Sequence, residues 1–293
     1  MSELVSILMP VYNEPIEYIT QAVESIRCQT YKNIELVIVV DNPSHQQAIE
    51  YLTGVSDSDS RIKVYINQLN QGLPRTLNKA ITLSHGDLIA RMDSDDWSTK
   101  KRIEVQVEYI NNVGVDLVAS NVVDMDELGN LLGTRTKYPT SSRRINKYLK
   151  YGDCLPHPTW LGKRRIFESL EGYREIEGCE DYDFLVRGAI LGYNYDLITE
   201  PLLHYRINMK GISQTKEAKQ IAASKIIQKS YKMGQVATID ELTDASFNMA
   251  LDEVEKYLEE KKKGISNIVN LMANKLFYDD IKNKILRQCC LKI

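Results

Sequence analysis

The chain has 293 residues, and its 37 Lys and Arg against 40 Asp and Glu give a formal net charge of -3, without the basic excess of a protein that lives on nucleic-acid phosphates. At 43 % hydrophobic residues a sizeable core is within reach, and the length exceeds that of a usual single domain, so one large core with an appendage is expected. The five cysteines, Cys28, Cys154, Cys179, Cys289 and Cys290, are odd in number and lack CxxC spacing, which suggests neither a disulfide framework nor a zinc site.

In chain order, the apolar run Val5-Ser6-Ile7-Leu8-Met9, stopped by Pro10, reads as a buried strand. It has neither the basic lead nor the long apolar stretch of a signal peptide. Ile16, Ile19, Val23 and Ile26 recur at helical spacing, and the β-branched run Ile34 to Val40 closes on Asp41-Asn42-Pro43. A right-handed strand-helix-strand unit follows from this order. The alternation continues with a strand at Ile62 to Ile66, a helix over Leu73 to Leu83, a strand over Asp87 to Met92, a helix from Lys101 to Asn111 and a strand at Asp116 to Ser120. Such alternation predicts a doubly wound α/β sheet.

From about Asn121 to Asn208 the pattern is less regular, with Gly129 and Gly133 bracketing a hairpin and Gly178 preceding an acidic helix start. Beyond Gly211 the runs Lys216 to Met233, Ile239 to Glu260 and Ile265 to Leu291 are almost free of Pro and Gly, predicting a separate helical appendage with Thr238 or Asp240 as a cap. No window reaches the roughly 20 apolar residues of a membrane-spanning helix, so membrane contact is expected to be peripheral at most. The basic clusters Arg143, Arg144, Lys147, Lys150 and Lys163-Arg164-Arg165 read first as solvated helix faces, with an anionic membrane or a diphospholipid-linked acceptor as the competing reading.

Chemistry concentrates where strands end. Asp93-Ser94-Asp95-Asp96-Trp97 leaves the fourth strand at the edge where open α/β sheets bind ligands. Asp93 and Asp95 can face one hard cation, whose usual shared partner is a diphosphate, or the cluster can cap the helix that follows. Asp41-Asn42 and Pro10-Val11-Tyr12-Asn13-Glu14 end neighbouring strands, so three exits carry groups able to hold a base, a ribose or a phosphate.

Taken together, Ser6 to Glu14, Ala22 to Ile26 with Gln29-Thr30-Tyr31, Ile34 to Asn42, Asn70-Gln71-Gly72 and Met92 to Asp96 resemble the ordered motifs of family 2 glycosyltransferases of the GT-A fold. Glu180-Asp181-Tyr182-Asp183-Phe184-Leu185 is similar to that family's acidic acceptor-side motif, and His204-Tyr205-Arg206 to its closing element. The resemblance spans residues 4–213 and implies a GT-A domain over 1–213, with a nucleotide-binding half at 1–120, an acceptor half at 121–213, and a helical region at 214–293.

It implies a metal-dependent, inverting hexosyltransferase that moves a sugar from a UDP-sugar to a hydroxyl of a glycan or lipid-linked glycan, in polysaccharide biosynthesis. The setting is the reducing cytoplasm, or the inner face of a membrane. Mn²⁺ or Mg²⁺ falls to Asp95, with Asp93 and His204 as further ligands. The nucleotide falls to Pro10, Tyr12, Glu14, Asp41, Asn70, Gly72, Arg75, Asn78, Asp93 and Ser94. In the family an arginine commonly precedes the asparagine after Asn-x-Gly. Here Leu77 precedes Asn78 and the nearest arginine is Arg75. Asp181 is the expected base, with Glu180 and Asp183 as rival carboxylates and His157 near the acceptor. The competing reading is that these acids only favour a helix N-terminus and that His157 is a stacked loop histidine. His204 and Arg206 are expected at the diphosphate or the metal, beside a lid that Asn208 to Thr215 would form over the donor. Self-association through the C-terminal helices is a further expectation. Two other readings compete: a sugar-phosphate nucleotidyltransferase, which normally opens with a glycine-rich loop absent from Pro10 to Glu14, and a non-catalytic scaffold.

Overall fold

The computed structural model describes residues 2–135, 138–176, 178–207, 217–243 and 247–255. Its elements run β1 Val5–Val11, α1 Ile16–Arg27, β2 Ile34–Val40, α2 Gln46–Ser58, β3 Ile62–Ile66, α3 Leu73–Leu83, β4 Leu88–Arg91, β5 Trp97–Ser98, α4 Arg102–Val113, β6 Leu117–Met125 and β7 Leu131–Thr134. They continue with α5 Ser142–Tyr148, a 3₁₀ turn at His157–Thr159, β8 Leu161–Lys163, α6 Arg164–Ser169, α7 Glu180–Ile190, β9 Tyr195–Arg206, α8 Glu217–Lys232 and α9 Ile239–Thr243. Residues 247–255 are helical.

The described strands form one nine-stranded sheet in the order β3-β2-β1-β4-β8-β6-β9-β5, with β7 paired to β6. Pairings among β1 to β4 are parallel, as is the long β6 to β9 pair, while β8 runs antiparallel to both β4 and β6. The result is a mostly parallel α/β sheet. A short antiparallel element joins its two halves.

The continuous apolar character of β2 follows from burial on both faces. Leu36, Ile38 and Val40 enter one layer with Ile19, Val23 and Ile26 of α1, Leu52 of α2, and Ile103, Val107 and Ile110 of α4. Val37 and Val39 enter the opposite layer with Leu77 and Ala80 of α3, Trp160, and Phe184 and Leu185 of α7. Ala223 and Ile227 of α8, with Ala237 and Leu242, belong to that second layer. The described part of the helix-rich C-terminal region therefore shares the core of the sheet domain.

Register sets the ligand-binding edge. Val11 stands beside Val40 and Leu8 beside Arg91, so the chain segments that leave β1, β2 and β4 emerge side by side. Beyond the acidic turn, Trp97 of β5 pairs with His204 of β9, which fastens residues 93–97 to the far half of the sheet.

Candidate active site

At the exit of β4 the backbone is pinned on both sides. The Arg91 N–H donates to the Trp160 carbonyl at 2.9 Å and the Met92 N–H to the Leu8 carbonyl at 3.0 Å. The turn that follows gathers Asp93, Asp95 and Asp96 so that one carboxylate oxygen from each lies within 4.8 Å of the others. Burial, with the negative charges of Asp93 and Glu14, pushes Asp95 up to about 7. Burial, then Asp95 and Asp93, raises Asp96 well above the usual carboxylate range. One Asp96 oxygen accepts the Arg206 N–H at 2.8 Å, and the other is buried without a hydrogen-bond partner. Three crowded carboxylates, with the proton affinity of Asp95 and Asp96 raised and one Asp96 oxygen orphaned, fit a hard divalent cation. His204, expected as a further ligand, lies outside that cluster: its ring centroid is 4.6 Å from that of Trp97, and its Nδ1 is buried without a partner. Burial lowers the His204 pKa, which favours the neutral imidazole.

Arg206 is buried and fully engaged. Its guanidinium donates to the Asp95, Asp126 and Glu127 carbonyls at 2.9, 3.1 and 3.0 Å and to Gln21 Oε1 at 2.6 Å, and it lies 3.9 Å above the Tyr18 ring. In the structure this side chain braces the acidic turn against α1 and the β6–β7 hairpin. The stretch 208–215, expected as a lid, lies outside the described residues.

A group not singled out from the sequence holds the centre. Arg91, only 5 % exposed, ion-pairs with Asp93. Its positive charge also acts to lower the pKa of Asp95, Asp96, Glu180, Asp181 and His157. It therefore stands within Coulombic reach of both acidic centres. The signal in the sequence was a cation inside an otherwise apolar strand, Leu88-Ile89-Ala90-Arg91-Met92. Beneath it lies Arg102, a second buried guanidinium, which donates to the Arg91 carbonyl at 2.7 Å and to Gln106 Oε1 at 3.0 Å. Desolvation lowers Arg102 to about 9.

At the other strand exits, Asp41 is 4 % exposed and its carboxylate organises the loop before α3. It accepts Asn67 Nδ2 at 2.7 Å and the backbone N–H groups of Gln71 and Gly72, each at 2.8 Å. Gly72 adopts φ +81°, a left-handed conformation that suits glycine, and its N–H also reaches Asn70 Oδ1 at 2.9 Å. Tyr12 is 43 % exposed just past Pro10 and Val11, and its N–H donates to Glu14 at 2.7 Å. Ser94 is buried within the acidic turn. Arg75 and Asn78 point elsewhere. Arg75 pairs with Glu175 at 2.7 Å, and Asn78 exchanges hydrogen bonds with the Tyr173 backbone at 2.7 and 2.8 Å, tying α3 to the loop before α7.

The second acidic group occupies the first turn of α7, where the helix dipole favours negative charge. Asp183 is consumed by structure, being paired with Arg174 and with Arg187, whose Nε lies 2.8 Å away. Glu180 is buried, and burial together with Asp181 pushes it up to about 8. Asp181 is half-buried and accepts the Tyr182 N–H at 2.7 Å. Its pKa is raised by burial and also by the charge of Asp93, which brings the two acidic centres within electrostatic range of one another. His157 is buried and bonded to the Tyr173 hydroxyl at 2.9 Å, with its ring 4.5 Å from that of Trp160. Burial and Arg91 lower its pKa well below the usual histidine value, so it sits neutral in an aromatic cluster.

The sequence and the fold that carries these acidic groups have counterparts. Residues 6–170 match the model of Glycosyl transferase family 2. The chain is 37 % identical over 205 residues to an uncharacterized glycosyltransferase of Methanocaldococcus jannaschii, covering 70 % of this chain and 71 % of that protein. It is 31 % identical over 215 residues to the O-antigen biosynthesis glycosyltransferase WbnJ of Escherichia coli, covering 73 % and 83 %. Among solved structures, S. aureus TarS 1–349 in complex with UDP-GlcNAc superposes with a TM-score of 0.65 at 16 % identity, over 86 % of this chain and 71 % of that one. Mannosyltransferase PcManGT from Pyrobaculum calidifontis, in complex with GDP-Man and Mn²⁺, gives 0.59 at 16 % identity, over 95 % and 81 %. The protein belongs to glycosyltransferase family 2 and is a glycosyltransferase. That membership sets aside the nucleotidyltransferase and scaffold readings. Among the described residues no helix is long and apolar enough to cross a membrane.

Proposed function

We propose that this glycosyltransferase is metal-dependent and inverting, and that it moves a sugar from a nucleoside diphosphate, UDP by preference, to a hydroxyl of a glycan or lipid-linked glycan. The observation that carries the reading is the convergence of Asp93, Asp95 and Asp96 on one point within Coulombic reach of Asp181. Asp95 and Asp93, with Asp96 adjoining, would hold Mn²⁺ or Mg²⁺. Such an ion acts as a Lewis acid on a diphosphate leaving group. The neighbours in complex with UDP-GlcNAc and with GDP-Man and Mn²⁺ support a nucleotide-sugar donor and a divalent ion, and the O-antigen relative supports a glycan acceptor.

For the base, Asp41 already accepts three hydrogen bonds, and a carboxylate has about four lone-pair sites, so one remains for an imide N–H such as that of uracil. Exposed Tyr12 supplies an apolar face beside it. In the transfer, Asp181 takes the proton of the acceptor hydroxyl as that oxygen forms its bond to the anomeric carbon. The bond from that carbon to the diphosphate oxygen breaks, and its electron pair departs with the diphosphate. Of the two neighbouring acids, Asp181 suits this role because Glu180 is the deeper group and holds its proton up to about 8. Arg91 keeps its charge between the two centres, where it opposes protonation of both.

A panel of nucleotide sugars, assayed for slow hydrolysis with and without Mn²⁺, tests the reading. Asp95→Ala is expected to lose turnover and metal-dependent UDP binding together, whereas Asp181→Asn loses about 10²-fold or more in turnover and retains UDP binding. Pyrophosphate release from a nucleoside triphosphate, or Asp181→Asn with normal transfer, would contradict it.

A further inference from the structure

Helix α8 grips the residue that opens the catalytic helix. Cys179 is the N-cap of α7, immediately before Glu180 and Asp181. Its side chain makes no capping bond to its own helix. Instead the Sγ–H reaches the Gln220 carbonyl at 3.2 Å, and Sγ lies 3.2 Å from Ser224 Oγ. From the same turn of α8, Gln220 Nε2 donates to the Gly178 carbonyl at 2.7 Å. Gly178 has φ +75°, and a methyl there would meet the Gln220 side chain at 3.6 Å. Upstream, Arg174 joins Asp183 of α7 to the Ala237 carbonyl beyond α8, the latter at 2.8 Å. Gln220, Ser224 and the Ala237 carbonyl thus hold the approach to α7 at three separate points, and Ala223 and Ile227 fill the core behind it.

These contacts have a common consequence. The first turn of a helix takes its direction from its cap and from the chain entering it, and a general base must stand within hydrogen-bond reach of the proton it removes. A shift of about 1 Å in such a group costs on the order of 10²-fold in rate. The entry to α7 contains two conformationally permissive glycines, Gly172 and Gly178, both at positive φ, so it does not fix its own path. Asn78 of α3 holds this entry at Tyr173, whereas the groups that hold Gly178 and Cys179, next to Glu180 and Asp181, come from a region that the sequence texture sets apart as an appendage.

We infer that α8 is part of the catalytic apparatus, with Gln220 a positioning residue that, through the Gly178 carbonyl and the Cys179 cap, sets where the Asp181 carboxylate stands. The inference rests on the assignment of Asp181 as base. In the full chain, Gln220→Ala is expected to lower kcat about tenfold while donor KM and UDP affinity stay within twofold, because the donor site lies on β1, β2 and β4. Ser224→Ala, a smaller excision that leaves the helix intact, moves kcat in the same direction by about threefold and serves if Gln220→Ala does not fold. The decisive readout is the double variant. In the Asp181→Asn background, with product measured over hours from radiolabelled donor, Gln220→Ala is expected to change residual turnover less than twofold. A tenfold loss that persists there, or a loss appearing in donor KM rather than kcat, would overturn the positioning role and leave α8 as core packing. Normal turnover of Asp181→Asn alone would instead remove the base assignment, an outcome read from a different variant.

Discussion

The charges at the heart of the site oppose one another, and their individual environments decide which acid does what. Glu180 carries the clearest consequence. Its carboxyl, ordinarily near 4.5, is held up to about 8 by burial and by Asp181, so in the folded chain it keeps a proton that the unfolded chain has released. The stability this gives is complete below about 4.5 and is lost as pH rises through about 8. Glu180→Gln is therefore expected to raise Tm relative to the parent at pH 8 to 9, to leave it nearly unchanged at pH 4 to 5, and to keep most of the turnover; pH-resolved thermal melts and a transfer assay check all three. Arg91 makes the opposite case. Replacing it by Met removes the cation paired with Asp93, and because Asp93 keeps partial contact with water the loss is expected at about 1 to 3 kcal/mol, readable in a denaturant midpoint. Arg91→Lys keeps the charge and is expected to recover part of both stability and turnover. Sequence pattern alone exposes the acids, because carboxylates after an apolar strand stand out. It hides Arg91, since one cation within Leu88 to Met92 scarcely alters an apolar run, and it gives Arg206 the look of a phosphate clamp although the fold spends that guanidinium on carbonyls, Gln21 and Tyr18.

Among the elements, the strongly periodic ones declare themselves and the thin ones do not. Strands β1 to β3 and helices α1 and α3 follow from runs and stripes visible in the sequence. Helix α2 does not, because its buried stripe is only Ala48, Leu52 and Val55 among Gln, Ser, Asp and Gly. Strand β8, three residues long and antiparallel to its neighbours, carries no pattern of its own, and its position between β4 and β6 is a property of the tertiary structure. The loop before α7 shows how elements are joined at the site. Asn78 of α3 reads as a nucleotide ligand by motif, yet its amide is taken by the Tyr173 backbone. Gly172, at φ +73°, lies so close that an added Cβ would meet Asn78 Oδ1 at 2.2 Å. Gly172→Ala is expected to cost about 1 to 3 kcal/mol through backbone strain and loss of this tie, and to lower turnover more than UDP affinity. Equal losses in both would show that the tie supports the donor side instead.

At the scale of the whole molecule, both apolar layers meet at one sheet, and the edge of that sheet is where the fold assembles its acids. The described part of a chain with two textures shares one apolar layer: the helix-rich texture after Gly211 reflects the absence of Pro and the scarcity of Gly, whereas Ala223, Ile227 and Leu242 show where its apolar face goes. The expected self-association through the last helices, with Cys289 and Cys290, falls outside the described residues. Crowding carboxylates at the edge destabilises the folded chain as they ionise, and a bound divalent ion should offset that cost. Chelation is accordingly expected to lower Tm by several degrees at pH 8 and by little at pH 5, where Asp95 retains its proton and competes with the ion. Melts in EDTA and in Mn²⁺ at the two pH values check this.

The most direct measurement is calorimetric titration of UDP into the protein with Mn²⁺ and again after chelation. The carboxylates of the β4 exit, acting on a diphosphate through a shared cation, require affinity at least tenfold higher with the ion, and require that this gain vanish in Asp95→Ala. Equal affinity in the two conditions, or a gain that survives in Asp95→Ala, would contradict the account.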